Sequence, residues 1–214
     1  MRLEKFLSDA GVGSRKEIKQ LIKSGRVKGD SEVDENSTVL LDGKKVEYKK
    51  YRYYAIDKPA GIVCATEDKK EKTVSDFLGV KDMFPVGRLD KDTTGLLLMT
   101  NDGDFAHRVI SPKYEIDKVY YAKVDAAVTE EDIKKFRDGI GDFLPAKLER
   151  LGENGCLVTV HEGKYHQVKR MLHAVGKNVI ELRRLSIGSL KLDDIKMTNG
   201  ICELSQQEID LIFN

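Results

Sequence analysis

The stretch Gly87-Arg88-Leu89-Asp90-Lys91-Asp92-Thr93-Thr94-Gly95-Leu96-Leu97-Leu98 decides how the rest of this chain is read. Its first half gathers an arginine, a lysine and two carboxylates into a polar turn. Its second half is wholly apolar and runs on through Met99. A buried strand that begins just after a charged turn holds that turn rigidly at a domain's edge. Close positioning is what a reacting group needs.

Strands and helices alternate on both sides of this stretch. Before it, residues 53–56 read as a strand, 57–61 as a loop, and Thr73 as the cap of a short helix carrying Val74, Phe77 and Leu78. After it, Asn101-Asp102-Gly103-Asp104 reads as a tight turn. Residues 119–124 read as a strand, and Thr129 caps a helix with Ile133 and Phe136 inward. A strand is expected at 157–160. Val168, Met171, Leu172 and Val175 fall at helical spacing, and Gly176 stops that helix. Two further strands are expected at 179–182 and 185–190, and Ser205-Gln206-Gln207-Glu208 opens a terminal helix. The order lacks a βαβ rhythm. It predicts an α+β fold with a mostly antiparallel mixed sheet flanked by helices.

The first 48 residues read as a separate helical unit. Leu3, Phe6, Leu7 and Ala10 share one helical face, and Gly11 and Gly13 break it. Ser14-Arg15-Lys16-Glu17 is a capping box. Ile18, Leu21 and Ile22 form the next apolar stripe, closed by Gly25. Short strands follow at 39–41 and 46–48 around an Asp42-Gly43 turn. Residues 49–52 read as a linker and 53–214 as the larger domain.

The chain has 214 residues, 40% of them hydrophobic, enough for one ordinary domain and a small one. Net charge is only +1, but it is unevenly spread. Residues 1–28 hold eight Lys/Arg against three Asp/Glu, and residues 161–191 hold seven against two. Two basic segments in a neutral chain fit a phosphate-backbone binder; two solvated helix faces fit the same counts. Cys64, Cys156 and Cys202 are odd in number and form no C-x-x-C pair, which argues against a disulfide framework or zinc site and fits a reducing cytoplasm. No stretch approaches the roughly 20 apolar residues of a membrane span, and the N-terminal MRLEKFLSDAG lacks an export signal's apolar core.

The metal readings fail on spacing. Asp90-x-Asp92-x-Thr94-Gly95 imitates a calcium loop, but Asn101 stands where a bidentate Glu is needed. His161-Glu162 and His166 are one residue too far apart for H-E-x-x-H. His107 and His173 have no partner at ligand spacing. What is left is a site without metal or cofactor: one acid, an Arg or Lys partner and a tyrosine. The residues themselves do not choose between Asp90 and Asp92.

A family resemblance covers nearly the whole chain. Residues 84–103 resemble the catalytic motif of the RsuA/RluB/RluE/RluF group of ribosomal RNA pseudouridine synthases. Lys118-Val119-Tyr120 resembles the group's K-x-Y motif, and Glu162-Gly163-Lys164-Tyr165-His166-Gln167-Val168-Lys169-Arg170-Met171 resembles its third motif. Arg2-Leu3-Glu4-Lys5, Ser14-Arg15-Lys16-Glu17 and Ile22-Lys23-Ser24-Gly25-Arg26-Val27 are similar to an S4-like RNA-binding domain. Lys28-Gly29-Asp30 departs from its usual V-N-G turn.

The resemblance implies Asp90 as nucleophile, Tyr120 against the target base, and Lys169 as the aspartate's cationic partner. It implies RNA contacts from Arg88, Lys164, His166, Gln167 and Arg170, and from Arg2, Ser14, Arg15, Lys16, Lys19, Lys23 and Arg26 in the S4-like domain. Pseudouridylation breaks the C1′–N1 bond, turns the uracil and joins C5 to C1′, so no cofactor is required. A carboxylate can hold the substrate covalently meanwhile. Attack at C1′, attack at C6 and glycal formation all remain open. The base must leave the stack to be reached.

The spelling His166-Gln167-Val168-Lys169-Arg170-Met171 resembles the small-subunit (16S) rRNA enzymes more than large-subunit relatives, which more often read R-Q-V-R-R-M. The expected partner is 16S rRNA or an assembling small ribosomal subunit, met in the cytoplasm by a monomer. The alternatives are a 23S rRNA enzyme of the same group and a catalytically silent S4-type RNA-binding assembly protein.

Overall fold

The computed structural model describes residues 1–214 and divides into two units, Met1–Arg52 and Tyr53–Asn214. In the first, α1 (Leu3–Asp9) and α2 (Arg15–Lys23) precede three short strands, β1 (Val27–Lys28), β2 (Leu40–Leu41) and β3 (Lys44–Lys45). The capping box forms as the sequence predicts. Ser14 Oγ accepts from the Glu17 amide, and Glu17 Oε2 accepts from the Ser14 amide. Phe6, Leu7, Ile18 and Val39 close a small core, with Tyr48 stacked 4.9 Å from Phe6. Arg15, Lys16, Lys19 and Lys23 face solvent. Asp42 and Gly43 both take positive φ, the two-residue turn that matches strand twist, so Leu41 pairs with Lys44. The second hairpin strand therefore begins at 44, not at the expected 46.

The larger unit is built on a nine-stranded sheet. In chain order its elements are β4 (Tyr53–Lys58), α3 (Val74–Leu78), β5 (Phe84–Pro85), β6 (Thr94–Thr100), α4 (Gly103–Ile110), β7 (Lys118–Val124), α5 (Glu130–Asp138), β8 (Lys147–Leu151), β9 (Gly155–Val160), α6 (Gln167–Ala174), β10 (Val179–Ile187), β11 (Leu190–Lys191), β12 (Ile201–Glu203) and α7 (Gln206–Asp210). The strand order is β12-β4-β6-β10-β7-β9-β8, with β11 on β10 and β5 on β6. Every pairing is antiparallel except β6 with β10.

Strand β6 lacks apolar alternation because both its faces are covered. Leu96 and Leu98 pack with α4 and α7, whereas Leu97 and Met99 pack with α3 and Leu89. A third core joins β7, β8 and β9 to Phe136 of α5 and Met171 and Leu172 of α6. At the parallel junction Gly95 is required. Its φ is +102°, and a Cβ there would lie 2.2 Å from the Arg184 carbonyl oxygen.

Several sequence expectations change. Residues 101–104 are more than a turn. Asp102 Oδ1 accepts from the amides of Asp104 and Phe105 and caps α4, a helix the turn-rich spelling hides. The strands expected at 179–182 and 185–190 are one strand to 187, because Arg183 and Arg184 pair with both β6 and β7. Strands β5, β8 and β12 carry no clear sequence signal, and β4 extends through Asp57 and Lys58.

Candidate active site

Residues 86–93 form the loop between β5 and β6, held through Lys58, Cys64 and Leu89. Lys58, fully buried at the end of β4, donates to the carbonyl oxygens of Pro59 (3.0 Å), Lys91 (3.3 Å) and Thr93 (2.8 Å). Its three ammonium protons are thereby used. Burial pulls the Lys58 pKa down, against the opposing pull of Cys64, Asp92 and Asp90. The Leu89 amide donates to Cys64 Sγ at 3.2 Å, and the Leu89 side chain enters the core beside Leu97. With Leu89 turned inward, Asp90 faces a cavity of about 710 Å³.

Lys169 pairs with Asp90. Its Nζ lies 2.9 Å from Asp90 Oδ2 and 2.7 Å from Asp92 Oδ1, so one ammonium bridges both carboxylates. Burial works to lower the Lys169 pKa, but hydrogen bonds and charge from Asp92 and Asp90 outweigh it and raise it. The hydrogen bond from Lys169 holds the Asp92 carboxyl below the usual range. Asp92 is nevertheless 75% exposed in its side chain, whereas Asp90 is 24% exposed and also lies 3.3 Å from His166 Nε2.

Lys169 stands in the first turn of α6, whose entry is pinned by buried polar groups. Glu162 Oε1 accepts from the Leu144 amide and from Gln167 Nε2, each at 2.8 Å. Gln167 Oε1 accepts from the Lys164 amide at 3.1 Å. His166 turns the chain into the helix at φ +50°. Its ring stacks on Tyr165, whose side chain stands largely in solvent.

Tyr120, on β7, lines the same cavity as Asp90, Arg88, Lys164, His166 and Gln167. Its hydroxyl accepts from Arg184 NH1 at 3.3 Å. Arg170 is exposed and lies over the Phe143 ring. Of the residues expected to touch RNA, Gln167 is buried and its amide is engaged with Glu162 and Lys164, which orients α6. In the smaller unit Ser14 serves as a helix cap, and Arg26 pairs with Asp42. Arg2, Arg15, Lys16, Lys19 and Lys23 are exposed.

Sequence patterns alone assign no role to Lys58, Glu162, Lys118 or Arg184. Lys118 and Glu162 fall inside recognisable motifs, but neither motif says what its side chain does. Arg184 follows Arg183 in a strand that also carries Glu181 and Ser186, so its spelling does not mark it as buried.

Comparison with known proteins fits this geometry. Residues 52–174 match the family model described as RNA pseudouridylate synthase, and residues 1–33 match the S4 domain. The chain is 40% identical to the ribosomal small subunit pseudouridine synthase A of Vibrio cholerae, over 100% of both proteins. It is 38% identical to the ribosomal large subunit pseudouridine synthase B of Bacillus subtilis, covering 97% of this chain and 93% of that protein. A solved structure titled "Crystal structure of pseudouridylate synthase" superposes with a TM-score of 0.71 at 30% identity, covering 99% of each chain.

Proposed function

The chain belongs to the RNA pseudouridylate synthase family, with an S4 domain at its N-terminus, and from that membership we propose that it isomerises a specific uridine of 16S rRNA, with Asp90 as nucleophile. The observation that carries this reading is the Lys169 ammonium held 2.9 Å from Asp90, whose carboxylate shares a cavity with Tyr120. A held cation favours the ionised carboxylate and aims it. Tyr120 offers a ring face for the extruded base. Arg88, exposed beside the nucleophile, contacts a phosphate and keeps the nucleotide turned out. The exposed cations of α2 bind phosphates without reading bases.

The 16S assignment rests on the spelling of residues 166–171 and on full-length likeness to the small-subunit enzyme. The comparable likeness to a large-subunit enzyme supports a second reading, a uridine of 23S rRNA. A silent RNA-binding protein would have no use for Asp90 and Tyr120 on one cavity with Lys169 paired to the aspartate. No helix is long and apolar enough to cross a membrane. An rRNA substrate implies a cytoplasmic enzyme, acting here as a monomer.

The test is incubation with unmodified 16S and 23S transcripts, free and with early ribosomal proteins. Pseudouridine is then mapped by carbodiimide treatment and primer extension. A new stop in 16S that Asp90→Asn abolishes is expected. A stop only in 23S replaces the substrate, and no stop with intact RNA binding overturns catalysis.

A further inference from the structure

Two cations lie at the bottom of the cavity and take no part in the Asp90–Lys169 pair. Lys118 is 6% exposed and Arg184 is 4% exposed. Lys118 sits on β7, opposite Val160 of β9 and Ile187 of β10. Arg184 sits on β10, opposite Tyr120 and beside Gly95. Both side chains line the cavity that Asp90 faces.

Their partners are neutral. Arg184 Nε donates to the Leu96 carbonyl at 2.7 Å and NH1 to the Tyr120 hydroxyl, while buried NH2 has no partner. Lys118 Nζ has one long contact, 3.4 Å to the His161 carbonyl. Neither forms a salt bridge with a carboxylate. Two buried cations that repel one another are costly, and the fold retains them without a carboxylate in salt-bridge contact. Burial, with repulsion from Arg184 and against attraction from Asp117, lowers the Lys118 pKa to about 8. A site of this kind is completed by an anion from outside.

Depth decides which part of an RNA can supply it. Asp90 is more exposed than either cation, so a sugar C1′ meeting Asp90 stands nearer the mouth. Phosphates flank the sugar and stay outside. The base projects inward between apolar walls that include Val86, Leu89, Val160 and Ile187. Its leading edge carries O2, N3–H and O4.

The reaction puts negative charge on that edge. Isomerisation breaks N1–C1′ and C5–H and makes C5–C1′ and N1–H. On the C1′ route an Asp90 oxygen bonds C1′ as N1–C1′ breaks, and the N1–C1′ electron pair stays with uracil, spread over N1, O2 and O4. C5 then supplies the pair for C5–C1′ as the Asp90–C1′ bond breaks and returns its pair to the carboxylate, and the C5 proton is lost as N1 gains one. If Asp90 instead adds first to C6, the charge reaches O4. Each route needs positive charge at the carbonyl oxygens, not at the sugar.

Resting on the reading that this chain is a pseudouridine synthase acting from Asp90, we propose that Lys118 and Arg184 form an anion subsite at the cavity floor. They take the uracil carbonyl oxygens and hold negative charge on the base while it is detached from the ribose. Preorganised donors aimed at developing charge act in the chemical step, whereas exposed cations act in RNA binding.

The experiment uses the full chain and the rRNA transcript that the wild type modifies. It measures single-turnover pseudouridine formation at saturating enzyme and, separately, RNA Kd. Lys118→Ala should lose about 100-fold in rate with Kd unchanged within about twofold. Ethylammonium should restore part of that rate and ethanol none, a response that a structural defect would not give. Arg184→Lys, which keeps the charge and loses the fork, serves as the second variant; it should slow the step by about tenfold at unchanged Kd. Wild-type rates in both variants would overturn the subsite and leave the enzyme reading intact. Weakened Kd with the saturated rate preserved would make these cations phosphate contacts and also overturn it. A wild type that forms no pseudouridine on any transcript would remove the reading on which the subsite rests.

Discussion

Lys169 Nζ lies 2.7 Å from Asp92 Oδ1, although Asp92 is the more exposed of the two carboxylates the ammonium bridges. The shorter of the two distances therefore belongs to the residue with less access to the cavity. Asp92 side-chain atoms are largely in water, where an ion pair contributes little. Asp90→Asn is expected to abolish pseudouridine formation, by at least about 1,000-fold, with RNA affinity retained. Asp92→Asn is expected to stay within about threefold of wild type, because Lys169 keeps Asp90 as its partner. The same primer-extension assay checks both. Equal losses in the two variants would mean that the bridge, not Asp90 alone, is the working unit.

Lys169→Met removes the cation that holds Asp90. The turnover rate is expected to fall by about 10- to 100-fold, and Lys169→Arg to recover most of it, since a guanidinium also satisfies two carboxylates. Single-turnover rates decide the comparison. A Met variant as fast as the Arg variant would show that charge at this position is dispensable.

Lys58 has the opposite kind of role. It is fully buried, and its ammonium serves three carbonyl oxygens around the Asp90 loop. Lys58→Met takes the donor from the Pro59 and Thr93 oxygens, while the Lys91 oxygen keeps the Gly61 amide at 2.8 Å. A destabilisation of about 2–4 kcal/mol is expected in urea unfolding, with a matching loss of rate as the loop loosens. Unchanged stability would mean that water replaces the ammonium without cost.

The exposed cations of α2 act through phosphates on the proposed reading. Replacing Arg15, Lys16, Lys19 and Lys23 together by Gln should weaken RNA binding uniformly across sequences. It should also flatten the dependence of log K on log salt, by about 0.7–0.9 for each phosphate no longer neutralised. Filter binding between low and moderate salt measures the slope. An unaltered slope would move RNA binding to other surfaces.

Lys118 sets a pH limit. Burial and repulsion from Arg184, opposed by Asp117, bring its pKa to about 8. The free enzyme loses this charge as pH rises through that value, so kcat/KM should decline above it. Lys118→Arg, charged at any working pH, should lack this limb. The sign for stability is reversed. The folded chain holds this proton less well than the unfolded chain, where the lysine titrates at its ordinary 10.5. The cost is therefore full below about 8 and is relieved as pH rises toward 10.5. A decline that persists unchanged in the Arg variant would assign it to another group.

Local chemistry was legible in the sequence. The capping box at Ser14 and the helix starts at Thr73, Thr129 and Ser205 form where the spelling places them, and the last three also close as boxes, because each is closed within three residues. The apolar run in β6 is a buried strand, as expected. Helix α4 escapes notice because Asn101-Asp102-Gly103-Asp104 suits a turn as well as an N-cap, and only the packing of Phe105, Ala106 and Val109 separates the two. The rule that reads Lys and Arg as solvated also misses Lys58, Lys118 and Arg184, since burial is set by neighbours distant in the chain.

Side-chain period and hydrogen bonds closed within a few residues are written in the chain itself. They settle most strands and helices, and they place the charged turn against a buried strand. The family resemblance names Lys169 as the partner of Asp90, but that its ammonium also bridges to Asp92, and that Arg184 lies under Tyr120, came only with the folded arrangement. Both follow from the β6-β10-β7 order and the parallel register at Gly95. That register is a balance of cores built from many elements, which no local pattern encodes.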